Sequence, residues 1–375
     1  MYREYMTAAL LLFFAAAPAG AAPKKPYRSL NWHLQPHHKV EKSTETETAA
    51  ENETQESTAP VKQPVRLMGG RWSPEAREAI EKLIAERGKD ATGYDPKVPP
   101  VAVIPWSDSA VEGDPAELVF LKLVTEVKFK FDDDWWELIP VGYGRQPTRA
   151  AYEQFISLSS DVWKSQPSYD GWRKGMLSSY LALCRGVGRK ECRSYLSRLW
   201  AGWRLDEAQD YSKRVLDDEK KRVSAVETVR GEPDDRKPLR ARRGLRVVPE
   251  FRDLVAKLRA AGFDVWVIDD VPQPVLAAST LDYGVDPSRA YGVQNSTDGA
   301  RMGADVLRPV PTRGGKAEAL QAQIGRPADL VIGRDGADFE LLDYGAGLRI
   351  ALDVDPELVK KAGERGWLVQ KAFAR

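Results

Sequence analysis

The sequence predicts an α/β fold, a Rossmann-like parallel sheet with a helical cap domain inserted into it. Three patterns carry that expectation. Over roughly the last 130 residues, short β-branched runs alternate with helical stretches, an order that yields parallel strands joined by right-handed crossovers. An earlier run, VAVIPW from Val101, reads as a buried strand of the same sheet. Between the two regions, residues 128–240 are mainly helical in pattern and rich in aromatics.

The chain opens with a segment, residues 1–22, that reads as a secretory signal. Arg3 precedes the apolar core AALLLFFAAA, Ala8 to Ala17, and small residues follow it. The core is too short to span a bilayer, which needs about 20 residues. No cysteine follows it, so a lipoprotein anchor is excluded, and no later apolar run reaches spanning length. The expectation is an exported protein, periplasmic or secreted, with no membrane span in the mature chain. Residues 23–66 read as a disordered polar linker, because almost nothing between Glu41 and Pro60 could bury apolar surface to offset ordering entropy.

Residues 67–127 form the first part of the folded core. Ser73-Pro74-Glu75 is a helix start, with Ser73 as N-cap and Pro74 in the first turn. Ala76, Ile80, Leu83 and Ile84 then recur at helical spacing. After the VAVI strand, DPAELVFLKLV reads as another helix.

In the inserted stretch, FDDDWW at 131–136 reads as a solvated turn before buried tryptophans, since three adjacent carboxylates do not converge on one ion without a special loop. Cys184 and Cys192 would be about 12 Å apart on one continuous helix, beyond disulfide reach. Gly186 and Gly188 between them suggest a helix break, and a corner there would allow a structural disulfide in an exported protein. RKPLRARRGLR, 236–246, has six cations in eleven residues and reads as a solvated connector.

Residues 241–375 supply the remaining sheet. A helix from Pro249 to Ala261 leads to strand VWVID (265–269), and a helix begins near Pro272. A strand follows near Tyr291 to Gln294, then a helix from Gly315. Strands LVIG (330–333) and RIALD (349–353) come next, with WLVQ (367–370) last.

Composition narrows the chemistry. The three histidines of the 375 residues, His33, His37 and His38, all precede the folded part. Histidine bases, Ser-His-Asp triads and His-ligated zinc are therefore not expected, and two cysteines cannot make a Cys₄ site. Lysine plus arginine (56) nearly balances aspartate plus glutamate (55), so nucleic acid is not an expected partner. Chemistry would rest on carboxylates, lysines, arginines and hydroxyls.

A parallel sheet holds its ligand crevice at the carboxyl ends of its strands. Those ends read PWSDS (105–109), DDVPQP (269–274), GGK (314–316) and GRDGAD (333–338). With the AGFDVW…PQPV segment, the lysine opening a helix, the G-x-x-x-x-D-F-E-L-L ending and the position of the insertion, the chain from about Trp72 resembles the haloacid dehalogenase (HAD) superfamily. The likeness is to its phosphoserine-phosphatase-like branch, whose members carry a helical cap. It implies phosphoryl-transfer chemistry from a nucleophilic aspartate, an acid/base aspartate two residues on, a Ser or Thr, a lysine, and acidic residues that help hold Mg²⁺.

Carried over position by position, the resemblance places Pro105 at the nucleophile, Ser107 at the acid/base and Asp269 at the phosphate-binding hydroxyl. Lys316 matches the lysine, Arg334 stands at the first metal carboxylate and Asp338 matches the second. Proline has no nucleophile, serine cannot replace a titrating carboxylate, and a guanidinium cannot ligate a dication. Moving the nucleophile to Asp108 leaves Ala110 as acid/base, which also fails. The expectation is a catalytically degenerate binding or structural module with no cofactor, the Mg²⁺ site being lost. The alternative is an active phosphomonoester hydrolase using an unusual set, Asp108 and Asp338. Two fates for the old site follow. One is a closed ion-pair network in which Asp269, Asp270 and Asp338 neutralise Lys316 and Arg334. The other is a pocket in which Lys316 and Arg334 hold a small anionic ligand. A protein partner at the aromatic cap is a further option.

Overall fold

The structure is a computed structural model that describes residues 64–130 and 135–373. The segment expected to be an export signal, the stretch expected to be a linker up to residue 63, the three histidines and residues 131–134 of the FDDDWW motif lie outside the described residues.

In chain order the elements begin with α1 (Pro74–Arg87), β1 (Val101–Ile104), β2 (Val111–Glu112) and α2 (Pro115–Glu126). Helices α3 (Arg145–Phe155), α4 (Ser160–Trp163), α5 (Pro167–Gly186), α6 (Arg189–Arg198) and α7 (Leu205–Lys221) follow. Next come β3 (Ala225–Val229), β4 (Leu239–Arg243), β5 (Arg246–Val247), α8 (Pro249–Ala260), β6 (Asp264–Pro272), α9 (Gln273–Thr280) and β7 (Ala290–Val293). The chain finishes with β8 (Asn295–Asp298), β9 (Arg301–Val306), α10 (Gly314–Ile324), β10 (Leu330–Gly333), α11 (Phe339–Tyr344), β11 (Leu348–Asp353), α12 (Pro356–Arg365) and β12 (Leu368–Lys371).

The central sheet runs β12-β11-β10-β1-β6-β7, and every pairing in it is parallel. Both faces are covered, which is why VAVI is apolar at every position. Ala102 and Ile104 point into the larger apolar cluster with α8 and the insertion. Val101 and Val103 point to the other face, among Ala319 and Leu320 of α10, Leu341 and Leu342 of α11 and Leu358 of α12. From central β1 the chain passes to β6 and β7 on one side, then returns to β10 on the other. The switch point therefore lies beside the carboxyl end of β1, where ligands of such sheets bind.

The helix starts follow from their caps. Ser73 Oγ accepts from the Ala76 amide at 3.2 Å, and Asp114 Oδ1 accepts from Ala116 and Glu117 at 2.9 and 3.2 Å, each ahead of a first-turn proline.

The insertion between β1 and β6 differs from its sequence reading in one respect. Residues 225–243 fold as the antiparallel hairpin β3–β4, so the boundary expected at 240 falls inside a strand. RKPLRARRGLR is accordingly no free connector. Arg240 and Arg242 face outward, whereas Arg243 turns inward to Glu219 and Glu227. Cation density masked the two-residue alternation that marks a strand. A second hairpin, β8–β9, was not expected from the sequence, although Asp298-Gly299 at its tip is a hairpin signal.

That second hairpin fastens the insertion to the sheet domain. The Gly202 amide donates to the Met302 carbonyl at 2.7 Å, and the Met302 amide donates to Trp203 at 2.8 Å. Asn295 Nδ2 donates to the Ser197 carbonyl at 3.0 Å, and Ser197 Oγ donates to Asn295 Oδ1 at 2.5 Å. Cys184 and Cys192 are joined in a disulfide across the corner where α5 ends at Gly186 and α6 starts after Gly188. Among the described residues no helix is long and apolar enough to cross a membrane.

Candidate functional site

Pro105, Ser107, Asp269, Asp270, Lys316, Arg334 and Asp338 come from four separated stretches, and the sheet brings them together at its carboxyl edge. Pro105 follows β1, the two aspartates lie within β6, Lys316 is in the first turn of α10, and Arg334 follows β10. Trp106 anchors the loop after β1. It is fully buried, its Nε1 donates to Ser279 Oγ at 2.7 Å, and its ring meets Tyr283 edge-on at 4.8 Å.

Two glycines let these backbones close up. A Cβ at Gly315 would lie 1.9 Å from the Val310 carbonyl oxygen, and one at Gly333 would lie 2.8 Å from the Asp338 Cβ. Glycine at both positions allows Lys316 and Asp338 to meet beneath the strand ends.

The meeting is a closed one. Lys316 Nζ donates to Asp338 Oδ1 at 2.5 Å, with both side chains buried. Asp338 Oδ2 accepts from the Arg334 amide at 2.7 Å. Burial alone would lower the Lys316 ammonium, but Asp338, Asp269 and Asp270 outweigh it and hold the lysine above its usual range. On the opposite wall Asp269 Oδ2 accepts from the Ser107 amide at 2.9 Å. Burial pushes the Asp269 carboxyl up to about 6, with Lys316 opposing and Asp270 adding to the rise.

Asp270 behaves differently from its neighbour, and from the sequence expectation that it would neutralise Lys316 or Arg334. Its partners are Arg189 and Arg193, one helical turn apart on α6 of the insertion. Arg189 Nε donates to Asp270 Oδ2, and Arg193 Nε lies 3.4 Å from Asp270 Oδ1. Burial would raise this carboxyl too, but the two guanidiniums overcome it and hold it well below the carboxylate range. Arg193 also donates from both terminal nitrogens to Asp114, the N-cap of α2. Arg334 pairs with Asp335 at 3.0 Å and reaches Asp108 at 3.9 Å. Asp108, at a left-handed φ of 52°, accepts from the Gly113 amide and from Arg242 of β4.

Arg189, Arg193, Arg242 and Asp114 were missed by sequence reasoning. The one visible signal was Arg-x-x-x-Arg straddling Cys192, which places two cations on one helix face.

The arrangement leaves about 10 Å³ among Pro105, Ser107, Asp269, Lys316, Arg334 and Asp338, no more than one water needs. These residues do not fit Mg²⁺. Pro105 has no side-chain ligand, a guanidinium stands at Arg334, and Asp338 is bound by an ammonium. Among the described residues no group of three or more His, Cys, Asp or Glu side chains is arranged to hold a metal ion. Beside this filled space lies a separate cavity of about 260 Å³, between the loop after β1, α6 and β4.

An all-parallel sheet of this order, with a helical insertion after its first strand, makes the fold HAD-like. No family model and no curated protein matches the chain. Among solved structures, a protein of unknown function from Anaerococcus prevotii is similar over 81% of this chain and 93% of its own, with 21% identity and a TM-score of 0.70. That similarity is one of fold. Weaker matches include a phospho-aspartyl intermediate analogue of phosphoserine phosphatase, at 12% identity over 73% of this chain and 94% of that one, TM-score 0.35. Cytosolic 5'-nucleotidase IIIB bound to cytidine matches at 9% identity over 80% and 86%, TM-score 0.38.

Proposed function

We propose that this chain is an exported HAD-like protein that does not hydrolyse phosphate esters and serves as a binding or structural module. One observation carries the reading. The lysine that should face a phosphoryl group is closed onto Asp338, in a space bounded by Pro105 where a nucleophile is required. A phosphoryl group entering there would have to break a buried ion pair and would then meet Asp269, with no carboxylate to attack it. Export is supported by the apolar core Ala8–Ala17 and by the Cys184–Cys192 disulfide, which persists in oxidising compartments.

The test compares the purified chain with the triple variant Pro105→Asp, Ser107→Asp, Arg334→Asp on a generic phosphomonoester with Mg²⁺. The unmodified chain is expected to show no Mg²⁺-dependent turnover and no Mg²⁺-induced rise in Tm. Turnover by the unmodified chain would sink the proposal. Turnover that then vanished in Asp108→Asn would establish the alternative, a hydrolase using Asp108.

A further inference from the structure

The cavity beside the filled space lies outside the Lys316–Asp338 pair, and its walls differ in chemistry. It is lined by Ser107, Asp108, Asp114, Glu117 and four arginines, Arg189, Arg193, Arg242 and Arg334. Arg193 is engaged by Asp114 and Asp270, and Arg189 by Asp270 and Asp335. Arg242 pairs with Asp108 at 3.0 Å, and Arg334 pairs with Asp335 at 3.0 Å and reaches Asp108 at 3.9 Å. Arg242 stands at the mouth with 60% of its side chain exposed. Deeper in, Ser107 Oγ is buried and has no hydrogen-bond partner among the described residues, and Arg334 Nε is likewise unsatisfied. Glu117, on the far wall, accepts from Tyr180 Oη at 2.8 Å. Its carboxyl is pushed above the ordinary range by burial and by Asp114.

Buried donors are normally satisfied, and two unsatisfied ones on residues that line this cavity mark a place for an acceptor. Four guanidiniums line the space, and the largely exposed one of Arg242 stands at its mouth, so charge-assisted donors for such an acceptor are at hand. We infer that this cavity is a binding site for a small oxyanion group, phosphate or carboxylate, held by Ser107 Oγ, Arg334 and Arg242. The group sits outside the Lys316–Asp338 pair, so Asp269 does not oppose it. The inference deepens the non-catalytic reading above by naming a ligand class, and it rests on the site being a binding one.

The experiment uses the full chain in EDTA, so that a failure of the non-catalytic reading, which shows only as Mg²⁺-dependent turnover, is read separately. Inorganic phosphate and acetate are titrated at constant ionic strength, with Tm and calorimetric heat as readouts. A saturable response to phosphate alone assigns a phosphoryl ligand, and a response to acetate as well extends the class to carboxylates. Arg242→Ala should weaken that response roughly tenfold or more, the loss of one charge-assisted contact. Ser107→Ala should weaken it less, and Arg240→Ala, on the same exposed hairpin face but outside the cavity lining, should leave it intact. No saturable response to either anion overturns the site. Equal losses in Arg240→Ala and Arg242→Ala do so as well, because they would mean diffuse surface attraction.

Discussion

Asp269 and Asp270 are consecutive residues on β6, both buried, yet the fold treats their charges in opposite ways. Asp270 has two arginines and stays ionised; Asp269 has a backbone amide and a lysine already paired elsewhere. Burial lifts Asp269 to about 6, against about 3.9 for an unfolded chain. Between those values the folded protein retains a proton that the unfolded chain has released. Stability from this group is therefore complete below about pH 4 and is lost as pH rises through 6. Asp270, held low, works the other way, and its contribution is lost only as pH falls below the carboxylate range. Asp269→Asn keeps one accepting oxygen and removes the first dependence. Urea unfolding should show the variant gaining on the parent by on the order of 2 kcal/mol from pH 4 to 7. A difference that does not change with pH would refute the assignment. At this scale the residues that the sheet gathers at its carboxyl edge were legible in the sequence, because strand ends can be read from β-branched runs. The sequence could not place Arg193 on Asp114, a partner 79 residues distant, since pairing across an insertion leaves no local pattern.

The α5–α6 corner shows an element whose logic is local and therefore readable. Two glycines interrupt the helix between Cys184 and Cys192, and Gly188 takes a φ of 115° that few other residues adopt. The disulfide closes a short loop there, with a sequence separation of 8. Chain entropy assigns such a loop about 2–3 kcal/mol. The double variant Cys184→Ser, Cys192→Ser is expected to lose about that much in chemical unfolding. Reductant should lower the parent by a similar amount and leave the variant unchanged; a parent indifferent to reductant would contradict this. The two hairpins were harder to read. In β4 the cations overwhelmed the alternation, and in β8–β9 the four polar residues of β8 and the six residues of β9 carry no clean apolar alternation.

At the scale of the whole molecule, α/β alternation gave the parallel sheet, but strand order depends on which neighbour each crossover chooses, and that is settled by packing on both faces. The described residues from 64 onward cluster as part of one compact unit, with the insertion tied down by β8–β9 and by Arg189 and Arg193. Insertion and sheet are therefore expected to unfold in one transition. Six of the eleven tryptophans, Trp135, Trp136, Trp163, Trp172, Trp200 and Trp203, lie in the insertion, so fluorescence weights it more heavily than far-UV dichroism, which reports on the whole. Their urea midpoints should coincide, and separated midpoints would show that the clamp does not couple the two parts.

The self-neutralised cluster at the strand ends also restricts how this sequence can drift. Pro105→Asp alone would set another carboxylate beside Asp269 while Lys316 is held by Asp338. Arg334→Asp alone would leave Asp335 dependent on Arg189 and add a charge beside it. Each lone step toward a metal-binding set leaves an unmatched charge, buried at 105 and partly buried at 334, and each is therefore destabilising. Only the full set, taken together with its ion, regains balance. The network is in this sense a ratchet, holding the chain in a valley that single substitutions do not leave.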